Sequence, residues 1–414
     1  MKKIVIKSFK EKKEYKKIII NGIIKLNINY FIYKIIIFLL IIIIFLTLNF
    51  EFNNYKKKQR EFALIKGRDF IKNNLEGILI NKEINHNNNY EPKISVIIPV
   101  YNCENSIKSS IRSIQNQNMY DIEIILVNDY SNDNSLKIIE KMKIEDKRIK
   151  IINNNKNMGT LYSRNIGVLK AEGRYILALD NDDMFLDEDV FYTVYNESEK
   201  NNYDIIGFKA IDSPNYNANI SQFVNNQFHR HRDNLILYQP YLSIFPISKN
   251  NKYYPNDFHI WGKCINTNVY KNAIYLLGKD RYSIYMSWHE DTIMVIIIFK
   301  LAKSYKFIGK YGIFHLVSKS TASCTQPKDN IMFGEIFFLD IIFDFTNNNT
   351  RYKKIVVEKA LELKDLKLFD ISNYKNKKYL ISVLNKIIMC KYISDKDKKK
   401  VSIKYSEILD NEKT

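Results

Sequence analysis

An acidic cluster directly follows a short apolar run near the middle of the chain. The run 175–179 reads YILAL, which is typical of a buried strand, and Asp180, Asp182 and Asp183 follow it with one asparagine among them. Carboxylates this close together repel one another unless a cation lies between them. Mg²⁺ and Mn²⁺ prefer oxygen ligands, and Mg²⁺ takes its remaining ligands from water and phosphates. The cluster therefore indicates a site for a metal–diphosphate, while a solvated acidic turn that caps the next helix is the alternative.

Two polar loops upstream also follow apolar runs. The run 94–100 (ISVIIPV) leads into YNCE, and the run 122–127 (IEIILV) leads into NDYSND. Helical spacing between the runs and a short strand over 149–152 predict βαβ crossovers and a mostly parallel sheet. The carboxyl ends of parallel strands share one edge, so the three loops converge there. They offer an aromatic ring for a base and carboxylates for base and ribose, next to the metal site.

The way the phosphates would be held is constrained by what the sequence lacks. It contains neither a GxGxxG nor a GxxxxGK[ST] motif, so a glycine cradle or a P-loop lysine is not expected. The charge of the phosphates must then be neutralised by the metal, with help from Arg164.

These motifs carry a family resemblance. ISVIIPVYNCENSIKSSIRSI, IILVNDYSNDNS and NMGTLYSRNIGVLKAEGRYILALDNDD occur in this order within 93–189. In order and spacing they resemble the nucleotide-sugar-binding half of the family 2 glycosyltransferases, which have the GT-A fold. The resemblance implies an α/β fold with a mixed, mostly parallel sheet flanked by helices. It also implies inverting transfer from a nucleoside-diphosphate sugar, most simply a UDP-sugar, with Mn²⁺ or Mg²⁺ as cofactor.

The resemblance also implies roles for individual residues on the donor side. The nucleotide base and ribose would contact Pro99, Tyr101 and Glu104. A uracil-type base would be hydrogen-bonded by Asp129, the base or diphosphate would lie near Arg164, the ribose would face Asp180, and the metal would be held by Asp182 and Asp183. The sequence departs from the family pattern at Asn128, where aspartate is common, and at Tyr130, where glycine is common. These departures leave the donor open but keep the metal site.

The second half of the chain carries fewer matching motifs. Glu290 and Asp291 precede an apolar helix and resemble the family's acidic pair, whose aspartate is the catalytic base. The alternative is that both only complement a helix dipole. Trp261 and Lys263 resemble an acceptor-side WxK element, although a tryptophan is also common in cores. His315 could complete the metal site or be structural. The QxxRW signature of processive synthases is absent, which favours transfer of a single sugar.

An apolar segment near the N-terminus predicts a single membrane anchor. The run 35–48 has no charged residue, ten lysines precede it, and extension to residues 30 and 50 gives about the 20 residues that a spanning helix needs. A signal peptide or a buried core helix are the alternatives. The charge bias favours a cytosolic N-terminus, and sequons at Asn196, Asn219 and Asn348 would agree with a lumenal (Golgi or ER) catalytic domain in a eukaryote.

The predicted organisation has five parts. A basic tail (1–34), the anchor (35–50) and a stem (51–91) precede a GT-A domain (92–330), and a helical C-terminal region follows (331–414). The GT-A domain divides into a nucleotide-sugar-binding half (92–210) and an acceptor half (211–330). The net charge of +19 suggests an anionic partner or a compositional bias, and nucleic-acid binding is not expected. Four widely spaced cysteines argue against a zinc site or disulfides and favour isolated buried thiols.

Two other functions are compatible with parts of this pattern. A glycan- or nucleotide-binding module could keep the fold without turnover. A nucleotidyltransferase would use a similar metal–diphosphate site and release pyrophosphate, but it would need a glycine-rich, basic phosphate loop near the first strand, which the sequence lacks. The favoured hypothesis remains single-sugar transfer to a glycan, lipid or protein acceptor.

Overall fold

The computed structural model describes most of the chain between residues 33 and 406. The described ranges are 33–55, 57–58, 66–79, 91–213, 235–238, 259–286, 289–317, 328–345, 353, 356–357, 360–361 and 374–406. The chain divides into two compact units, Met1–Ala63 and Leu64–Thr414. The predictions for the basic tail before residue 33, for a polar insertion over 215–234 and for the sequons at Asn219 and Asn348 lie outside these ranges.

The described part of the first unit contains one long apolar helix. Helix α1, Tyr33–Tyr55, has 23 residues, a mean hydropathy of 2.8 and no buried share within the structure. It contains the predicted anchor and continues into the first residues of the predicted stem. By length and composition it can cross a membrane, a test that a signal sequence near the N-terminus also passes.

The second unit alternates strands and helices before it becomes helical. Helix α2 covers 66–75. The remaining elements are β1 Ile94–Val100, α3 Ile107–Gln115, β2 Ile122–Asn128, α4 Ser135–Glu145, β3 Ile149–Asn153, α5 Thr160–Lys170, β4 Tyr175–Ala178, β5 Met184–Phe185, α6 Val190–Asn201, β6 Ile205–Ser213, β7 Ile236–Tyr238, β8 Lys263–Asn266, α7 Thr267–Leu277, α8 Lys279–Tyr282, α9 Glu290–Leu301, β9 Ser304–Leu316, α10 Lys328–Phe345, α11 Tyr374–Met389 and α12 Asp395–Lys404.

One mixed sheet of nine strands organises the described part of this unit. Its order is β3-β2-β1-β4-β8-β6-β9-β5, and β7 pairs with β9. The pairs β3–β2, β2–β1 and β1–β4 are parallel, as the βαβ pattern predicted. Strand β8 then enters antiparallel between β4 and β6. The chain leaves β1 first toward β2 and later toward β4, so the order reverses at β1, where open α/β sheets bind ligands.

The sheet is covered on both faces, which explains why its central strands are largely apolar. All seven residues of β1 are buried. Successive side chains point to opposite faces: Val96 and Ile98 pack with α3, α4 and α6, whereas Ile97 packs with α5, α7 and α9. A strand buried on both sides reads as a continuous hydrophobic run.

The C-terminal helices share the core of the sheet's second face. In helix α9 every residue from Thr292 to Phe299 is buried, because helices α5, α7 and α10 pack around it. Ile336 and Phe337 of α10 belong to the same hydrophobic cluster as Ile97 of β1. The region predicted as a helical extension therefore completes the core of the sheet domain.

Helix α2 packs on the sheet domain, although it lies in the predicted stem. Ile71 is buried in a cluster with Met184 and Leu186 beside strand β5. Lys66 pairs with Asp189 at 2.6 Å. Gly67 lies so close to Leu186 that an added Cβ would come within 2.8 Å of its side chain. Part of the sequence between α1 and β1 is thus built into the fold.

The described thiols fit the prediction of isolated cysteines. Cys103 and Cys264 are buried and form no disulfide, and burial raises the pKa of each thiol to about 12. Cys390 is unbonded and half-buried, and Cys324 lies outside the described residues. A thiol with such a raised pKa is a poor nucleophile, so Cys103 and Cys264 have no catalytic character.

Candidate active site

The acidic cluster lies in the loop that joins β4 to β5 at the carboxyl edge of the parallel strands. Asp183 is fully buried, and its Oδ1 accepts a hydrogen bond from the Leu316 N–H at 2.9 Å. Burial raises the pKa of Asp183 well above its usual range. Burial and the charge of Asp180 raise the pKa of Asp182 to about 6. The loop therefore holds carboxyl groups whose negative charges disfavour one another.

The chemistry of this loop fits a divalent cation. Asp183 Oδ2 is buried and has no hydrogen-bond partner within the described residues. A hard cation would satisfy this oxygen and relieve the repulsion between the carboxylates. No group of three or more His, Cys, Asp and Glu side chains in the described ranges is arranged to hold a metal by itself. A cation here would draw further ligands from water or from the phosphates of a bound nucleotide.

His315 faces the acidic loop from strand β9. Its Nδ1 lies 2.9 Å from Oδ1 of Asp212 on the neighbouring strand β6. Burial would lower the pKa of His315, but the charges of Asp183 and Asp212 outweigh it and raise the pKa to about 9. A carboxylate on one ring nitrogen fixes the orientation of the imidazole, an arrangement common behind metal-binding histidines.

Trp261 and Lys263 are buried residues beside His315 and His259. Trp261 is only 3% exposed, and its ring lies 4.8 Å from that of His315. It also stacks on His259 at 4.3 Å, and the two histidine rings lie 6.3 Å apart. Lys263 is 1% exposed and donates a hydrogen bond to the His259 carbonyl at 2.5 Å. The structure thus places both residues behind His315, and their predicted contact with an acceptor remains a prediction.

Arg164 joins the two halves of the candidate site. This buried guanidinium, on helix α5, donates to Asp180 at 2.9 Å and to Asp291 at 2.5 Å. The other oxygen of Asp291 accepts the Ile260 N–H at 3.2 Å. Arg164 is separated from Asp291 by 127 positions in sequence. The fold therefore brings the predicted ribose-side acid and the predicted catalytic base to one cation.

Glu290 has the electrostatic character of a general base. Burial and the adjacent charge of Asp291 raise the pKa of Glu290 to about 7, although Arg164 opposes the shift. A base whose pKa lies near the working pH is efficient in proton transfer. The structure therefore makes Glu290 a second candidate beside Asp291.

The predicted base-binding loops hold one another through hydrogen bonds. Glu104 accepts from the backbone and side chain of Asn134 at the start of α4, and its own N–H donates to Asp133. Tyr101 is 42% exposed at this edge. Pro99 contributes its carbonyl, which accepts from Asn181 of the acidic loop. The loops after β1, β2 and β4 thus meet, as the sequence predicted.

Asp129 makes more hydrogen bonds to neighbouring residues than the sequence suggested. Its carboxylate accepts from the N–H groups of Met158 and Gly159 and from Asn154, each at 2.8 Å. A carboxylate has about four acceptor sites, so about one remains for a base. Next to it, Tyr130 has a φ of +65°, which confirms that a side chain occupies a turn suited to glycine.

The sequence analysis missed several residues that the fold brings to this site. Asp212 orients His315, and His259 stacks beneath Trp261. Tyr285 is 41% exposed, and its ring would lie 3.3 Å from a Cβ placed on Gly159. Only Asp212 carried a signal, as the one acidic residue of strand β6. The others depend on contacts between distant segments.

Comparison with known proteins agrees with this geometry. Residues 95–265 match the family model described as Glycosyl transferase family 2. This part of the chain is therefore similar to the family 2 glycosyltransferases. The matched segment runs from β1 into β8. It includes the donor-side loops and Arg164, whereas Asp291 and His315 lie beyond it.

The relatives with the highest identity match only a part of this chain. The chain is 43% identical over 97 residues to an uncharacterized glycosyltransferase of Haemophilus influenzae, a match that covers 23% of this chain and 39% of that protein. It is 27% identical over 218 residues to the Campylobacter jejuni GalNAc(5)-diNAcBac-PP-undecaprenol beta-1,3-glucosyltransferase, which covers 49% of this chain and 67% of that one. In four relatives that are at least 40% identical, the match spans only 14% to 39% of their length.

A solved structure extends the likeness beyond the region of sequence identity. The S. aureus TarS fragment 1-349, crystallised in complex with UDP-GlcNAc, superimposes with a TM-score of 0.51 at 17% identity. The superposition covers 76% of this chain and 85% of the TarS fragment. At this identity the likeness confirms the GT-A-like fold and no more.

Proposed function

We propose that the chain is an inverting, metal-dependent glycosyltransferase that moves one sugar from a UDP-sugar to a glycan, lipid or protein acceptor. The observation that carries the proposal is the bridge from Arg164 to Asp180 and Asp291. It sets the acidic loop, which suits a nucleoside diphosphate and its cation, beside an acidic pair that can take a proton from an acceptor hydroxyl. The TarS fragment's complex with UDP-GlcNAc supports a UDP-linked donor.

Each group in the site has a proposed task. Asp182 and Asp183, with His315 on the opposite strand, would hold Mn²⁺ or Mg²⁺. A cation bound there supplies positive charge that stabilises the leaving diphosphate. Arg164 keeps Asp180 in place toward the ribose and fixes Asp291 with respect to the donor. Glu290 and Asp291 supply the base that activates the acceptor hydroxyl, and direct displacement then inverts the anomeric centre.

Release of free UDP tests the proposed function. The protein, incubated with UDP-sugars, Mn²⁺ and a mixture of glycan and lipid-linked acceptors, is expected to release UDP in proportion to acceptor. A nucleotide-sugar-binding module would bind the donor, with a rise in melting temperature, and release none. A nucleotidyltransferase would release pyrophosphate instead. Either of these results would contradict the proposal.

We also propose that α1 anchors the protein with its N-terminus in the cytosol and its catalytic domain on the other side of the membrane. The helix has the length and apolarity to span a bilayer, and ten lysines precede Ile35 while fewer basic residues follow the span closely. In sealed vesicles a C-terminal tag is expected to resist protease until detergent is added. Digestion without detergent would reverse the orientation, and release of the protein by alkaline carbonate would exclude a span.

A further inference from the structure

The residue before the acidic pair has an unusual backbone conformation. His289 has a φ of +63° and a ψ of 9°, in the left-handed region that side chains other than glycine seldom adopt. Its carbonyl accepts the first helical hydrogen bond of α9, from the Ile293 N–H at 3.1 Å. The backbone conformation of His289 therefore sets the direction in which the side chains of Glu290 and Asp291 project from the first turn of α9. Such a conformation persists only where the surroundings hold it.

Helix α10, the first helix of the C-terminal region, contacts the His289 side chain. Phe338 stacks on the imidazole with 4.8 Å between ring centroids and 17° between planes. Glu335, three residues earlier and so on the same face of α10, places Oε1 3.0 Å from Nε2 of His289. The other ring nitrogen lies 3.4 Å from the Thr292 hydroxyl. The ring is thus held by α10 on one side and by α9 on the other.

Helix α10 is itself firmly anchored, which makes it a suitable support. Asp340 and Asp344 both pair with Lys386 of α11, at 2.6 and 2.8 Å. Asp344 also pairs with Arg281 of α8. Beneath these ion pairs, Ile336 and Phe337 are fully buried. A ring that contacts such a helix cannot shift without moving packed side chains.

We propose that Glu335, together with Phe338, is a positioning residue that sets the geometry of the Glu290–Asp291 pair through His289. The helical C-terminal region then takes part in the reaction by supporting the base, although it contributes no group to the substrates. This inference rests on the proposed function in that the supported pair supplies the base. The positional effect itself can be measured without turnover.

The test compares two substitutions on α10 that differ in their contacts. Glu335→Gln removes the charge next to His289, and Asp344→Asn removes a charge that pairs with Arg281 and Lys386. The two carboxylates are similarly exposed, at 32% and 29%. Glu335→Gln is expected to lower kcat about 10-fold with donor KM nearly unchanged, as for partners that orient a functional group. Asp344→Asn is expected to leave kcat unchanged, because Asp340 still pairs with Lys386 and the buried Ile336 and Phe337 still hold α10 in place. Its melting temperature should fall at least as far as that of Glu335→Gln.

A second variant and a second readout make the test independent of stability and of turnover. His289→Asn keeps a residue that tolerates the left-handed conformation but removes the ring. Its kcat loss should be at least that of Glu335→Gln, and the double variant should lose no more than His289→Asn alone. Amide hydrogen exchange over 289–293 should accelerate in Glu335→Gln and not in Asp344→Asn.

Two results would overturn the inference. One is a Glu335→Gln variant whose kcat and exchange match those of Asp344→Asn. The other is an additive loss in the double variant. A wild-type protein that releases no UDP contradicts the proposed function instead, and the exchange comparison still decides whether Glu335 positions the pair.

Discussion

Asp291→Asn is expected to lower turnover by about 10²–10⁴-fold while donor affinity changes little. Asparagine keeps the shape of the side chain and one oxygen for the Ile260 N–H, but it cannot take a proton from an acceptor hydroxyl. A positioned general base contributes a factor of this size. Arg164 keeps its second partner, Asp180, so the donor side should stay in place. Melting temperature, donor affinity and turnover measured on one preparation separate a catalytic loss from a loss of folded protein.

Glu290→Gln is the matched comparison for Asp291→Asn. The charge of Asp291 helps to raise the pKa of Glu290 to about 7, so Asp291→Asn is expected to lower the pKa of Glu290. If Glu290 were the base, Asp291→Asn would stay active and the acidic limb of its pH–rate profile would move to lower pH. If Asp291 is the base, activity falls at every pH and Glu290→Gln retains most of it. A role in helix stability alone would give a lower melting temperature with normal turnover in both folded variants.

Asp182→Ala is expected to abolish the metal-dependent part of UDP binding, a loss of about 100-fold or more. Even residues that only orient metal ligands are worth about 10–100-fold, so a direct ligand should be worth at least the upper value. The fold should survive, because the variant removes a carboxylate that repels Asp180. Calorimetry of UDP with Mn²⁺, with Mg²⁺ and with EDTA measures the effect.

Asp121→Ala is the control for the metal-site variant. Asp121 lies just before β2, at the opposite edge of the sheet, and pairs with Lys93 at 2.7 Å with both side chains more than 40% exposed. Loss of such a surface pair costs about 0–1 kcal/mol. UDP should therefore bind this variant as it binds the wild type. Metal-independent UDP binding in the wild type, or unchanged binding in Asp182→Ala, would contradict a metal-assisted donor site.

The first half of the fold was predictable because its signals are local. The runs at β1, β2 and β4 are largely apolar, since both faces of these strands are covered, and the helices between them show clear spacing. The polar loops after these strands then had to meet at one edge. The family resemblance also implied that Tyr130 occupies a glycine-type turn, and its φ of +65° confirms this.

The second half was less predictable because its contacts join distant segments. Strand β8 has only four residues, and nothing in them indicates an antiparallel position between β4 and β6. The bridge from Arg164 to Asp291 crosses 127 positions, so the two residues could be named individually but not as a pair. The C-terminal region was predicted only to be helical, and the sequence did not show that residues such as Phe337 complete the core beside β1.

Helix α2 has a practical consequence for any soluble form of this protein. It covers Leu186 and Phe314 with Ile71, directly beside the loop that carries the acidic cluster. A fragment that starts at the first strand would leave these apolar side chains in water next to the donor site. Exposed patches of this kind promote association between molecules. A fragment that begins after α1 but before residue 66 should remain monodisperse. A fragment that begins near residue 91 should both aggregate and lose nucleotide affinity.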